Sequence, residues 1–501
     1  MTISNKPIKQ VSAAWGAVLS VTMRWTDRLI GLISTLVLAR LLLPADFGVV
    51  AMASVVVGLI DTLLDLGVNM ALIQNRNATR ADFDTAWTLR LLQAMLAAAI
   101  LGLGAPFAAD YFHDERVTDV VRVMAISVLI GGLDNIGVVA FHKNMEFGRD
   151  FRFFFLRRLA GFTATISLAF ILRSYWAMPL GTLTARIVGL GLSYWLHDFR
   201  PRLALTRFNA LWSFSQWVLV RNLGQYGLTQ LDKFLVGSRT NTTMMGGYSL
   251  ADEVAAIPTG ELLAPLGRVL FPNFVRAMGD QERLHGLFCK ALGVQTLIAL
   301  PAGFGLILVA PDAIRLMLGE QWLYIIPLVQ ILAVMNVLGV LSHSAIHLLL
   351  AMGKVRLQAL FIWVQIILLA IGTLVAFPTA DTQGIAFIRL GISAFGLIFF
   401  IGLTLYSFPR IRLADYLNYS WRPLFATLFM ALALSDAPIS PDLMLPIRLA
   451  ANIGLGATIY LSSLLMLWGL ARCPEGAESY LLDALKLKKT VRKIFPARRY
   501  P

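Results

Sequence analysis

Apolar stretches long enough to cross a bilayer recur from one end of this 501-residue chain to the other. No motif constrains the fold as much. A spanning helix takes about 20 mainly apolar residues. Such stretches lie at 11–40, 46–73, 82–109, 117–141, 151–172, 176–197 and 211–238, then at 245–272, 284–309, 323–350, 356–377, 383–406, 420–434 and 446–471. Several of their boundaries interrupt a helix, as at Leu43-Pro44-Ala45-Asp46, Phe377-Pro378, Phe408-Pro409 and Asp436-Ala437-Pro438. Charged residues make up 14% of the chain, where a soluble protein carries about 25%. Too little polar surface remains to solvate a globule. A soluble enzyme, a disordered regulator and a nucleic-acid-binding domain are excluded, and no nucleic-acid partner is expected. The expected fold class is all-α: a polytopic membrane protein of about 14 transmembrane helices.

Basic residues orient it. Odd-numbered connections hold only Arg40, Arg116, Arg173, Arg239 and Arg315. The termini and even-numbered connections hold far more, including Arg76 and Arg80, Lys143 and Arg149, Arg200 to Arg207, and Arg410, Arg412 and Arg422. Positive charge stays on the cytoplasmic side, so both termini are expected there and the helix count is even. From Tyr480 the tail alternates apolar residues at helical spacing with Lys486, Lys488, Lys489, Arg492 and Lys493. It reads as a basic amphipathic helix on the anionic inner leaflet. No cleavable leader is expected at the N-terminus, and Cys289 and Cys473 make no disulfide framework.

Charges also fall inside the apolar stretches, where they face a bundle interior or a wet cavity. Arg24, Asp27 and Arg28 share one face of the first helix, and Asp61 and Asp65 one face of the second. Arg90, Asp134, Arg186, Arg221 and Asp232 follow. Arg122, Arg157, Arg158, Arg268, Lys290 and Arg389 lie nearer span ends, where long side chains snorkel to the interface. The central arginines exceed what one anionic neighbour each could neutralise. A cationic cavity suits an anionic ligand, because guanidinium binds phosphate bidentately and stays protonated.

Other chemistry is scarce. There is no GxxxxGK[ST] loop for nucleotide and no HExxH. His343 and His347 stand one turn apart without a Cys or carboxylate and read as packing rather than metal binding. No outward loop is large enough for an external catalytic domain. No catalytic residue, cofactor or metal is expected, and the chain is expected not to be an enzyme. Arg40 to Gly48 and Arg239 to Gly247 repeat an Arg-seven residues-Gly spacing across two outward turns. Six helices between the copies preserve orientation, as a parallel repeat requires. Two six-helix lobes, 1–207 and 208–410, are expected around a midplane cavity, with peripheral helices at 411–471 and the basic tail at 472–501.

The stretch GLISTLVLARLLLPADFGVVAMASVVVGLIDTLLDLGVNMALIQ, Gly31 to Gln74, resembles the N-terminal signature of the bacterial polysaccharide-transporter flippases. Leu231 to Asp280 resembles their second-lobe signature at Asp232, Gly237, Gly247, Tyr248, Pro258, Pro272 and Arg276. That superfamily includes multidrug-extrusion antiporters and peptidoglycan-precursor flippases. The resemblance implies a two-lobe fold in the bacterial cytoplasmic (inner) membrane. It also implies translocation of polyprenyl-diphosphate-linked oligosaccharides to the outer leaflet, with polysaccharide polymerase or export machinery as partners.

On that basis Arg24, Arg28, Arg90, Arg186 and Arg221 are candidates for the diphosphate. Asp27, Asp61, Asp65, Asp134 and Asp232 are candidate ion-coupling carboxylates, and Asn222, Gln225 and Tyr226 candidate glycan contacts. Three rivals stand beside this. A drug or cation antiporter would want carboxylates and aromatics in its cavity. A membrane glycan polymerase or ligase would need a catalytic constellation outside. A scaffold in an export complex would tolerate loss of every central arginine.

Overall fold

A computed structural model describes residues 13–75, 78–375, 381–436, 443–472, 474 and 476–484 of the chain. Every regular element among them is a helix. They form two compact units, Met1–Gly246 and Gly247–Pro501.

The first unit contains α1 (Ala13–Leu41), α2 (Pro44–Leu64), α3 (Val68–Gln74), α4 (Arg80–Phe112), α5 (Arg116–Gly132), α6 (Val139–Lys143), α7 (Phe147–Leu172), α8 (Ala177–Leu196) and α9 (Phe208–Arg239). The helix α10 (Thr242–Ala277) runs on into the second unit. There follow α11 (Gln281–Met317), α12 (Ile326–Leu341), α13 (His343–Ala351), α14 (Val355–Val375), α15 (Thr382–Ser407), α16 (Leu413–Asp436), α17 (Leu445–Leu470) and α18 (Ala477–Ala484). Most of the apolar stretches fall on single helices, but α11 runs well past 309, α16 starts well before 420, and 46–73, 117–141 and 323–350 are each divided between helices.

Eight helical segments among the described residues are long and apolar enough to cross a membrane, and a ninth if the bent pair Arg116–Gly132 and Ile136–Lys143 is one span. Their outer faces are apolar. Leu103 is 80% exposed, Phe107 77%, Ile171 76% and Val375 73%, side chains that only lipid can cover across such lengths. The chain is a multi-pass membrane protein.

In the first unit α7 packs on α8 and on α1, α4 on α5, and α2 on both α5 and α9. α9, expected to open the second lobe, is held to α2 by a hydrogen bond from the Tyr226 hydroxyl to the Val55 carbonyl, 2.6 Å.

Two expected straight spans are broken. The stretch 46–73 ends its helix at Leu64, and Asp65 caps it instead of sharing a helical face with Asp61. Gly67 turns the chain with φ 62°, a left-handed conformation costly for any residue with a Cβ. The Asp65 carboxylate accepts the Gly67 N–H at 2.8 Å, and the Gln93 amide donates to the freed Leu64 carbonyl. The stretch 117–141 bends by 69° after α5. Fully buried Asn135 holds this bend. It donates from its side chain to the His197 and Phe199 carbonyls (3.1 and 2.6 Å) and accepts the Gly137 N–H at 2.9 Å. Backbone groups released by a break in lipid must find such partners within the protein.

In the second unit α16 and α17 pack on α11 and on each other. Arg422, expected in a cytoplasmic connection, lies instead within α16, and its Nε is 2.9 Å from Glu478 Oε1, with both side chains 5% exposed. The terminal helix therefore starts at Ala477, earlier than the tail pattern implied, and its first turn is buried because Glu478 neutralises Arg422 there. Residues 485–501, which carry most of the basic tail, lie outside the described residues.

Candidate functional site

Two adjoining cavities lie within the first unit, and Arg186 of α8 lines both. The first, about 280 Å³, is bounded by α2, α3, α4, α5 and α8 and presents Asp61, Asp65, Arg90 and Arg186, with Asn69 and Gln93. The second, about 420 Å³, is bounded by α1, α7 and α8 and presents Asp27, Arg157, Arg158 and Arg186, with Thr165 and Thr182.

Local packing explains how these arginines lie. Arg90 Nη2 donates to the Gly131 carbonyl at 2.8 Å and stands 3.5 Å from the carboxylate of Asp134, which is buried at the bend after α5. Asp134 thus backs Arg90 and does not line either cavity. The Arg186 guanidinium rests against Gly131, where a Cβ would come within 2.9 Å of Nη1. The Arg157 stem rests against Gly189 in the same way, with Cδ 2.9 Å from where a Cβ would stand. Glycine at these two contacts lets a long cationic side chain lie flat along the neighbouring helix. Arg158 Nε meets Asp27 Oδ1 at 2.9 Å, and Asn222 donates to Asp65 Oδ2 at 3.4 Å.

The two cavities differ in charge. The first sets two arginines against two aspartates, and Asp134 behind Arg90 adds a third carboxylate. The second sets three arginines against Asp27 alone. Excess positive charge therefore lies in the second cavity, whose threonines add hydrogen-bonding hydroxyls. Such a set of forked donors is suited to an anion with several oxygens.

Of the residues singled out from sequence, the structure brings Asp61, Asp65, Arg90 and Arg186 to one cavity and Asp27 and Arg186 to the other. Arg24 and Arg28 are half-buried on α1 and line neither. The Arg221 side chain lies outside the described residues. Asp232 is fully buried and lines neither cavity. Asn222 reaches the first cavity through Asp65, Gln225 is exposed, and the Tyr226 hydroxyl is bound to Val55. Arg157 and Arg158 were expected to snorkel, yet they supply most of the positive charge of the second cavity. Their adjacency in an otherwise apolar stretch was the available signal. The glycines that receive them lie on other helices.

The fold matches that of the lipid II flippase MurJ in an inward closed conformation, with a TM-score of 0.72 at 12% identity over 90% of this chain and 99% of that one. An inward-facing multidrug resistance MATE family transporter of the MOP superfamily matches with a TM-score of 0.60 at 14% identity, over 79% and 98% of the two chains. In sequence the chain is 26% identical to the lipopolysaccharide biosynthesis protein WzxC of Escherichia coli (strain K12) over 369 residues, 72% of this chain and 73% of WzxC. It is 25% identical to the teichuronic acid biosynthesis protein TuaB of Bacillus subtilis (strain 168) over 421 residues, 80% and 84% of the two chains. The succinoglycan biosynthesis transport protein ExoT of Rhizobium meliloti (strain 1021) is 25% identical over 348 residues, 69% and 70%. Residues 37–327 match the model of one family, more than half of the chain: this multi-pass protein belongs to the polysaccharide biosynthesis protein family.

Proposed function

We propose that this protein is a flippase that carries polyprenyl-diphosphate-linked oligosaccharide repeat units from the inner to the outer leaflet of a bacterial cytoplasmic membrane. The fold is shared with multidrug transporters as well as with a lipid II flippase, so the cargo has to be read from side chains. The observation that carries the proposal is the second cavity, where Arg157, Arg158 and Arg186 face a single aspartate. An organic cation would be repelled there. A diphosphate would exchange its hydration for guanidinium forks and the hydroxyls of Thr165 and Thr182. A cavity of about 420 Å³ is head-group sized, which leaves the lipid tail in the bilayer and the glycan in the aqueous opening.

The cycle is alternating access, in which the loaded site faces first the cytoplasm and then the outside. Arg186 gives the two cavities a common element. Neutralising Asp61 or Asp65 with a proton or a cation removes negative charge beside Arg186 and strengthens its hold on an anion. Release of that ion weakens the hold. Asp61 and Asp65 are therefore the coupling carboxylates we favour. Asp27 is the counter-ion of Arg158, and Asp134 that of Arg90. Arg24, Arg28 and Arg221 remain proposed contacts of the diphosphate at other stages of the cycle. Polymerase or export machinery would take up the delivered product.

The test is outward movement of a polyprenyl-diphosphate oligosaccharide in proteoliposomes. Arg157→Gln and Arg186→Gln, in protein that elutes as one species, should each slow transport about tenfold or more, the loss of roughly one charge-assisted contact. Full transport by both variants would refute the arginine cavity. Chain growth of the glycan by the purified protein alone would make it a polymerase instead.

A further inference from the structure

A second cluster of chemistry lies in the second unit. His285 and Cys289 stand four residues apart on α11 and so share one face. Asp415, from the first turn of α16, comes to the same place 130 residues after His285. We propose that His285, Cys289 and Asp415 form a binding site for a transition-metal ion of the Zn²⁺ class, which clamps the start of α16 to α11.

The geometry carries this. His285 Nε2 is 3.1 Å from Asp415 Oδ2 and 3.6 Å from Cys289 Sγ, and the three donor atoms all lie within 4.8 Å of one another. With Zn–N and Zn–O near 2.0–2.1 Å and Zn–S near 2.3 Å, the edges of a tetrahedron are about 3.3 Å for N to O and about 3.6 Å for N to S. The two measured separations are close to those edges. Imidazole, thiolate and carboxylate together favour zinc over magnesium or calcium, which prefer oxygen ligands throughout.

The arrangement also argues against a nucleophilic cysteine. A relay needs the histidine to meet the thiol with one ring nitrogen and the carboxylate with the other. Here Nε2 faces both, so the donors converge on a point instead of forming a line.

The surroundings fit a metal as well. The Arg412 backbone N–H donates to Asp415 Oδ2 at 2.8 Å and fixes the carboxylate, the kind of outer contact that orients metal ligands. Cys289 is buried in an apolar cluster with Phe288, Leu292, Phe408 and Tyr416, while His285 and Asp415 remain partly accessible. One side is thus open to admit the ion and to leave a fourth position for water.

Full-length protein in detergent, stripped with a chelator and titrated with Co²⁺ as probe, tests the proposal. One equivalent should bind and give the intense visible bands of a tetrahedral ion with a thiolate-to-cobalt charge-transfer band, and Zn²⁺ should displace it. Cys289→Ser should abolish the charge-transfer band while Cys473→Ser keeps it. His285→Ala and Asp415→Asn should each weaken binding about tenfold or more, as ligand and outer-shell losses do. Without any substitution, Zn²⁺ should slow alkylation of Cys289, followed by peptide mapping. No charge-transfer band in monodisperse wild-type protein, a band that survives Cys289→Ser, or unchanged alkylation of Cys289 would each overturn the site. The cluster would then be a hydrogen-bonded contact between two helices.

Discussion

Gly131 and Gly161 offer a paired test of how the arginine cavities are built. A Cβ added at Gly131 would meet Arg186 Nη1 at 2.9 Å, and one added at Gly161 would meet Ala185 Cβ at 2.8 Å. The distances are nearly equal, but the neighbours are not. Nη1 ends a flexible side chain and can retreat by a rotamer adjustment, at about 0.5–1.5 kcal/mol. Ala185 Cβ is fixed to the backbone of α8. Carbon atoms pack at about 3.5–4.0 Å, so Gly161→Ala must part α7 and α8 by roughly 1 Å, an overpacking that costs about 1–3 kcal/mol. Each substitution also removes a glycine from a helix, which returns roughly 0.5–1 kcal/mol. Gly131→Ala should therefore be near neutral, and Gly161→Ala should lose about 1 kcal/mol net. Thermal unfolding of the purified proteins in detergent should rank Gly161→Ala below wild type and Gly131→Ala beside it. Gly131→Ala, although stable, should transport more slowly, because the Arg186 guanidinium has been moved. Equal destabilisation of the two variants, or a Gly161→Ala protein as stable as wild type, would refute this account of the packing.

Asn135→Ala should lower thermal stability by about 1–3 kcal/mol, since it leaves the buried Gly137 N–H without its acceptor, while the His197 and Phe199 carbonyls keep their bonds from Arg200 Nη1. Arg422→Met alone should cost about 3–5 kcal/mol by stranding Glu478, while Arg422→Met with Glu478→Leu should recover most of it; chemical denaturation of single and double variants measures both. Tyr226→Phe should lose only about 0.5–1 kcal/mol, the worth of its bond to Val55, and should leave transport in proteoliposomes unchanged. A large loss of transport would restore Tyr226 as a glycan contact.

Much of this protein follows from the order of its residues alone. Lipid acts on each segment as it stands, so the length of an apolar stretch and a proline or glycine at its end suffice to locate a helix. The family resemblance rested on two such stretches with their turns, Gly31 to Gln74 and Leu231 to Asp280. That arginines stand inside the membrane was equally plain. Which of them meet was not. Arg157, Arg158 and Arg186 converge because α7 and α8 are rotated toward each other, and that rotation depends on where Gly161 and Gly189 let one helix approach the next. Arg24 and Arg28 look as central in the sequence but line neither cavity. The breaks at Asp65 and Asn135 were hidden for a related reason, since Gln93, Ser193 and the carbonyls of His197 and Phe199 supply partners from distant segments. Arg422 reads as a loop charge in the sequence, because its partner Glu478 stands 56 residues later. His285, Cys289 and Asp415 show the same limit at 130 residues. Hydrophobic length is a property of one segment, whereas a site is a property of the angle between two.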